Sequence, residues 1–302
     1  MNRSKGPSEA LTATTPSEDL LDALRAEVGP QLVGLLSDLG RAVPADLWAR
    51  ALLTPVHDIL GRGGKRFRGQ LVQSFWALSG RDDAPPPLLP LLVEYIHAGS
   101  LVVDDVQDGS TTRRGDLSLH LRYGVPLAVN TGNWLYFLPQ VFLSRLGLPE
   151  ERELRLHRRV ADTMLRCHCG QALDLTVVAA TASQIQLPRL VATIRALKTG
   201  ALFELTASLA GEAAGADPGR LGELRAFAAA VGNALQQLDD LGNLAPRPEL
   251  PDDKRFEDLR AGRATAPWSE AALGLEPTPF AALQALGRAV MDGDEPAERL
   301  AD

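Results

Sequence analysis

Hydrophobic positions recur at helical spacing along almost the whole chain. The segments "RGQLVQSFWALSG", "PLLPLLVEYIHAGSLVVDD", "PLAVNTGNWLYFLPQVFLSRLG", "RLVATIRALKTGALFELTASLAG" and "LRAFAAAVGNALQQLDDLGNL" are long and rich in Ala and Leu. Ala and Leu lose little on entering a helix, and an apolar period of three to four residues supplies a face to bury. No run alternates convincingly with period two. Turns rich in Gly, Pro and Asp separate the segments: "SGRDDAPPP", "GLPEERE", "GEAAGADPGR" and "LAPRPELPDDK". Several helices are apolar nearly all round, which predicts buried central helices in a single large helical bundle of all-α class.

Residues 1–14, "MNRSKGPSEALTAT", lack an apolar period and are expected to form a disordered tail. A helix is expected to start after them. Thr15 can cap it, Pro16 suits its first turn and Glu18 completes a capping box. Residues 15–302 then make one all-α domain, with no tandem repeat and no clean linker.

Composition removes several function classes. The chain has 302 residues, 45% of them hydrophobic, which is enough for a sizeable core. A formal net charge of −7 argues against nucleic acid, whose binding normally needs a basic face. The apolar runs are too short or too interrupted to span a bilayer, and no basic start with an apolar stretch opens the chain. A cytoplasmic location is expected. Cys167 and Cys169 flank His168, but residues i and i+2 of a helix point apart. Buried reduced thiols are the better expectation than a metal centre.

Charge patterning is where chemistry enters. "SLVVDDVQDGSTTRRG" crowds Asp104, Asp105 and Asp108 together, then adds Arg113 and Arg114. Acids one turn apart repel, by a few tenths of a kcal/mol per exposed pair. If the preceding helix continues, Asp104 and Asp108 share a face at i, i+4, and His97 lies two turns back on that face. Asp105 lies about 100° around. Carboxylates on one ridge suit Mg²⁺, a hard ion that takes oxygen ligands and shares its remaining positions with water and phosphate. In "GNALQQLDDLGNL", Asp239 and Asp240 form a second ridge, with Asn243 at i+4 and Gln236 at i−3 from Asp239. Two ridges facing each other across a bundle would hold several metal ions and one diphosphate.

The cations complete the pattern. "GRGGKRFRGQ" sets Gly61, Gly63 and Gly64 before Lys65, Arg66 and Arg68, so that a close turn precedes a phosphate clamp. It does not fit a Walker A loop. Lys198 and Thr199 lie in an otherwise apolar helix, where the Lys needs a partner.

Taken together, these residues resemble the trans-isoprenyl diphosphate synthases, the trans-prenyltransferase family. The resemblance runs from about Leu52 to Pro267 and rests on "GGKRFR", "IHAGSLVVDDVQDGSTTRRG", "GQALDL", "KTG", "QQLDDLGN" and "EDLRAGRATAP" in that order. The short D-D-x-x-D spacing, "NWLYF" and Asn243 ending the second motif are similar to the eukaryotic-type geranylgeranyl diphosphate synthases. The resemblance implies a bundle with a central cavity. It implies a Mg²⁺-dependent condensation of isopentenyl diphosphate with dimethylallyl, geranyl or farnesyl diphosphate in a homodimer. By it, Asp104, Asp105, Asp108, Asp239 and Asp240 bind metal, with Gln171 and Asp174 lining that side. Arg113, Lys198, Thr199 and Gln236 meet the allylic diphosphate. Lys65, Arg68, His97 and Arg114 meet isopentenyl diphosphate. Gly99, Ser100, Tyr136, Phe137 and His168 set product length, with a twenty-carbon product expected. Chemistry is carried by Asp104, Asp105, Arg113, Lys198 and Asp239.

Two departures from the family pattern stand out. Gly69 follows Arg68 where Pro is common, and 35 residues follow Pro267, about two helices fewer than usual. Two other readings stay open, of which the first also needs the acid ridges. A class I terpene cyclase would need no isopentenyl diphosphate site, and a non-catalytic partner subunit would tolerate loss of the acids.

Overall fold

The computed structural model describes residues 43–244 and 255–301. The expected tail, the Thr15 cap and most of the "LAPRPELPDDK" turn lie outside these residues. The helices are α1 (Ala45–Trp48), α2 (Thr54–Gly61), α3 (Phe67–Leu78), α4 (Leu89–Asp108), α5 (Leu119–Tyr123), α6 (Val125–Leu143) and α7 (Glu150–Thr176). They continue as α8 (Leu187–Arg195), α9 (Ala201–Ala214), α10 (Pro218–Leu244), α11 (Glu257–Arg260), α12 (Ala266–Gly274), α13 (Pro277–Asp292) and α14 (Glu298–Ala301). Two stretches, Ala49–Leu53 and Ala196–Gly200, are π-helical. The all-α class expected from the sequence is observed. Among the described residues, the paired strands are two residues each, β1 (Thr112–Arg113) and β2 (Asp116–Leu117). That hairpin is too short to show as a two-residue period.

The chain divides into two compact units. In the unit containing 43–70 and 90–146, α4 and α6 cross at a pair of glycines. A Cβ on Gly99 would lie 2.7 Å from the Gly132 carbonyl oxygen, and one on Gly132 would lie 2.6 Å from Val103 Cγ2. Both residues must be glycine for the helices to approach this closely. Tyr95 stacks on Phe142 nearby, with ring centroids 5.4 Å apart. The crossing fixes the helix that carries the first acid ridge.

In the unit containing 71–89, 147–244 and 255–301, α9 is buried over most of its length, as its all-round apolar sequence predicts. Each fully buried Leu or Phe there, such as Leu209 or Phe203, contributes about 1.5–3 kcal/mol. Phe203 seats against Gly232 of α10, where a Cβ would come within 2.7 Å of its ring. Two carboxylates that α9 carries inward are neutralised. Glu204 is held by Arg166 at 2.8 Å and by Arg225, and Glu212 by Arg155 at 2.8 Å. A second apolar cluster around Phe256, Trp268 and Phe280 joins α8 to α11–α13. It supports the C-terminal end of α10, where the second acid ridge stands.

Candidate active site

The loop after α2 is built around the glycines. Gly63 and Gly64 have φ of +75° and +145°, conformations that an L side chain resists. A Cβ on Gly64 would lie 2.9 Å from the Arg114 guanidinium, and Arg114 donates to the Gly63 carbonyl. The glycines thus form a seat for Arg114, fifty-one residues away along the chain. Lys65 is exposed. Arg66, at φ +44°, is one of three non-glycine residues among those described with positive φ. Glu94, 7% exposed, accepts the Gly69 N–H at 2.7 Å and attracts Arg114. A proline at position 69 would lack that N–H, so the departure at Gly69 has a local reason. Gly63, Gly64, Arg66, Glu94, Ala98 and Arg114 line one small recess. His97 is half-buried. Burial, with the charges of Arg68, Arg114 and Arg113, holds its pKa well below the usual value, so it is neutral at pH 7. The expected isopentenyl-site cations Arg68 and Arg114 therefore share one electrostatic neighbourhood with His97.

Helix α4 ends at Asp108, so all three acids of the first ridge are helical. Asp104 is half-buried and Asp108 exposed, whereas Asp105 is 1% exposed. Arg113 Nε donates to the two Asp105 oxygens at 2.9 and 3.1 Å, with a further bond from Nη2. Arg113 and Asp116 pair across the hairpin, with Arg114 and Gly115 at its tip at φ +54° and +79°. Two-residue turns of type I′ need positive φ at both central residues. The left-handed conformation costs a non-glycine residue about 1–2 kcal/mol, and the Arg114–Gly63 bond is the anchor that opposes it. Asp58 braces the hairpin from behind. It takes Arg62 Nε at 2.7 Å, Arg122 Nη1 at 2.8 Å and Tyr123 OH at 2.8 Å, while Arg62 Nη1 donates to the Arg113 carbonyl. Burial alone would raise the Asp58 carboxyl, but these donors outweigh it and hold it below the usual range.

In the other unit, Lys198 has the partner its sequence context requires. Its Nζ lies 2.8 Å from Asp174 Oδ2, and Arg263 donates to the Asp174 carbonyl at 2.7 Å. Thr199 Oγ1 donates to Gln236 Oε1 at 2.8 Å, and Gln236 Nε2 donates to Asp240 Oδ1 at 2.9 Å. The motifs "KTG" and "QQLDD" are thereby one hydrogen-bonded chain. Asp240, 6% exposed, also accepts the Ala266 N–H at 2.9 Å. Burial raises its pKa. Asn243 ties the end of α10 to α11: its Oδ1 takes the Asp258 N–H at 3.3 Å, and its carbonyl takes the Phe256 N–H at 3.0 Å.

The expected metal set divides by burial. Asp105 and Asp240, the second acid of each ridge, turn into the protein and are bonded there, because one residue along a helix is a rotation of about 100°. Asp104, Asp108 and Asp239 are the ridge carboxylates that reach solvent. Among the described residues no three His, Cys, Asp or Glu side chains converge as a finished metal centre. The donor set nonetheless fits a hard ion, which needs only one or two carboxylates beside water and phosphate. Excess negative charge stands at the second ridge. Burial and the neighbouring Asp240, Glu257 and Asp174 push the Asp258 carboxyl up to about 7. Sequence reasoning did not single out Asp258, Glu94 or Asp58; each has a partner 15 or more residues away.

The expected product-length residues separate. Gly99 is small because α6 lies on it, with Tyr136 Cδ1 3.2 Å from where its Cβ would be. Ser100 is half-buried and donates to the His97 carbonyl at 2.8 Å. Tyr136 is half-buried, but Phe137 is 72% exposed. His168 is exposed, with Nδ1 2.8 Å from the Met164 carbonyl. Cys169 is exposed and Cys167 half-buried, contrary to the expected buried pair.

Comparison with known proteins identifies the scaffold on which these residues stand. The family model of the polyprenyl synthetases matches residues 49–289. A geranylgeranyl pyrophosphate synthase of Eremothecium gossypii is 28% identical over 76% of this chain and 72% of its own length. Another, from Fusarium fujikuroi, is 31% identical over 70% of this chain and 49% of its own. Preasperterpenoid A synthase of Talaromyces verruculosus is 28% identical over 82% of this chain, which spans only 30% of that protein. A geranylgeranyl pyrophosphate synthase crystal structure shares the fold, with a TM-score of 0.73 at 22% identity over 93% of this chain and 81% of that one. The decaprenyl diphosphate synthase of Rhodobacter capsulatus does so too, at 0.70 and 23% over 95% and 85%. Acid ridges on two helices, the glycine-seated arginine and the Lys198–Asp174 pair sit on a helical scaffold that the family model spans, and the chain belongs to the polyprenyl synthetase family, the trans-prenyltransferases.

Proposed function

We propose that the chain condenses isopentenyl diphosphate with an allylic diphosphate and releases geranylgeranyl diphosphate. The observation that carries this reading is the cluster of His97, Arg68 and Arg114 around the glycine loop. A cyclase acting on one allylic diphosphate has no use for a second anion site of that kind. Support for the product comes from the relatives named geranylgeranyl pyrophosphate synthase.

In this reading Lys65, Arg68, His97 and Arg114 hold isopentenyl diphosphate. A neutral His97 donates one N–H without adding charge. Lys198, Thr199 and Gln236 orient the allylic diphosphate, and Arg113 is set by Asp105 to add charge there. Asp104, Asp108 and Asp239 would hold Mg²⁺, which supplies Lewis-acid stabilisation of the leaving diphosphate. The allylic C–O bond breaks with its electron pair on the diphosphate. The isopentenyl double bond forms the new C–C bond, and the diphosphate takes the proton lost from the isopentenyl unit. Preorganised cations stabilise charge where it develops, which is the main catalytic contribution asked of these side chains. The walls must also keep water from the cation. The same reading makes the chain a single-domain, cytoplasmic homodimer. Among the described residues no helix is long and apolar enough to cross a membrane.

A second reading, terpene cyclisation, is favoured by the Talaromyces relatives named as terpene synthases. One assay separates the two. The protein is incubated with MgCl₂, farnesyl diphosphate and labelled isopentenyl diphosphate, and the products are identified by mass spectrometry. Labelled twenty-carbon diphosphate is expected. Cyclised hydrocarbon without label, or no turnover of either substrate, would overturn the proposal.

A further inference from the structure

Gly170 stands inside the 27-residue helix α7, where glycine is less favourable than alanine. Such a placement needs a compensating contact. An added Cβ would lie 2.6 Å from the Lys198 backbone nitrogen and 2.9 Å from both the Leu197 carbonyl carbon and Leu197 Cβ. Two of these three atoms are main chain, so no side chain can swing away to make room. Lys198 itself lies in the π-helical stretch Ala196–Gly200. One turn before Gly170, Cys167 Sγ donates to the Lys198 carbonyl at 3.5 Å. One turn after it, Asp174 takes the Lys198 ammonium at 2.8 Å. Positions i, i+3 and i+7 of one helix face therefore meet the carbonyl, backbone nitrogen and ammonium of a single residue, the middle one by close approach without a side chain.

We propose that Gly170 is a positioning residue for Lys198. By presenting no side chain, it lets α7 seat against the π-helical backbone so that Asp174 meets the ammonium. The consequence for catalysis rests on the reading that Lys198 binds the allylic diphosphate; the positioning itself does not. Gly170→Ala must push the two segments apart by several tenths of an ångström to reach ordinary contact. A misplacement near 1 Å costs about 100-fold in rate for a group that orients substrate.

The test uses the full chain and two independent readouts. Lysine acetylation by an N-hydroxysuccinimide ester is followed by peptide mass spectrometry, with Lys65 as the internal reference. In Gly170→Ala the Lys198/Lys65 labelling ratio should rise several-fold, because the ammonium loses Asp174. In steady-state kinetics the KM for the allylic diphosphate should rise and kcat fall, while the KM for isopentenyl diphosphate stays within about twofold of wild type. Gly222→Ala, a helix glycine with open space around it, should change neither readout. Should Gly170→Ala fail to fold, Cys167→Val crowds the same strip one turn earlier and should shift the labelling ratio in the same direction. An unchanged labelling ratio in a folded variant overturns the proposal whatever the activity. A raised ratio with no prenyl transfer even in wild type would uphold the positioning and sink the catalytic reading instead.

Discussion

Arg113 closes on Asp105 with its Nε 2.9 Å from one carboxylate oxygen and 3.1 Å from the other, and the acid side chain is 2% exposed. Asp108, three residues on, is exposed. The same residue type therefore serves two purposes within one helical turn. Removing one partner of a buried pair leaves an uncompensated charge and costs about 3–5 kcal/mol. Substitutions at exposed sites usually stay within about 0.5 kcal/mol. Arg113 keeps some contact with water, at 22% exposure, so the lower end of the buried range is expected for Asp105→Ala. Urea unfolding should show a loss of about 3 kcal/mol for Asp105→Ala and almost none for Asp108→Ala. Equal losses would mean that Asp105 is not structural.

Turnover should sort these acids in the opposite way. Asp104 is half-buried and Asp239 exposed. Asp104→Ala and Asp239→Ala should reduce prenyl transfer by two or more orders of magnitude while thermal unfolding stays near wild type. Loss of a ligand for leaving-group charge, rather than loss of packing, is the cause. EDTA should abolish activity and MgCl₂ restore it. Near-normal turnover in Asp104→Ala would remove it from the metal set.

Asp258 makes a pH-dependent prediction. Burial first, then Asp240, Glu257 and Asp174, raise its carboxyl to about 7, against about 3.9 in an unfolded chain. The folded state holds this proton more tightly. The contribution is fully present below about pH 4, declines as pH rises toward 7 and is gone above it. With metal removed by EDTA, the wild type should lose stability between about pH 4 and pH 7. Asp258→Asn cannot ionise, so its thermal midpoint should change less across that window and exceed wild type at pH 8. Parallel pH curves for the two proteins would rule out Asp258 as the titrating group.

These contacts show which features could be read from the chain. Both acid ridges, the glycine loop and the need of Lys198 for a partner are local patterns at spacings of one to four residues, and periodicity reveals them. The Arg114–Gly63, Glu94–Gly69 and Asp258–Asn243 contacts join positions 15 to 51 residues apart, which one sequence does not pair. The hairpin of β1 and β2 has too few residues for any period, and it exists because Gly115 and an anchored Arg114 accept positive φ. Gly99 was legible as small but not for its reason. Absence of a side chain reads equally as space for a ligand or as contact with a helix, and only the position of Gly132 decides.

That distinction sharpens the expectation for product length. Ser100 and Gly99 are adjacent, yet Gly99 is covered by α6 whereas Ser100 is half-buried. Gly99→Ala would drive a Cβ to 2.7 Å from the Gly132 carbonyl and should lower the thermal midpoint without changing the product of whatever enzyme folds. Ser100→Phe adds a ring one turn before Asp104 and should shorten the product to fifteen carbons. Tyr136 lies against the Gly99 crossing and is half-buried, so Tyr136→Ala should open space and admit products longer than twenty carbons. Each further isoprene unit buries several CH₂-sized groups at about 0.8 kcal/mol apiece, enough to bias the outcome once space exists. Phe137 is 72% exposed in the single chain. A lengthening by Phe137→Ala would therefore require a second copy of the chain to cover it. Mass spectrometry of dephosphorylated products decides these cases. Unchanged lengths in both Ser100→Phe and Tyr136→Ala would show that the growing tail does not run along α4.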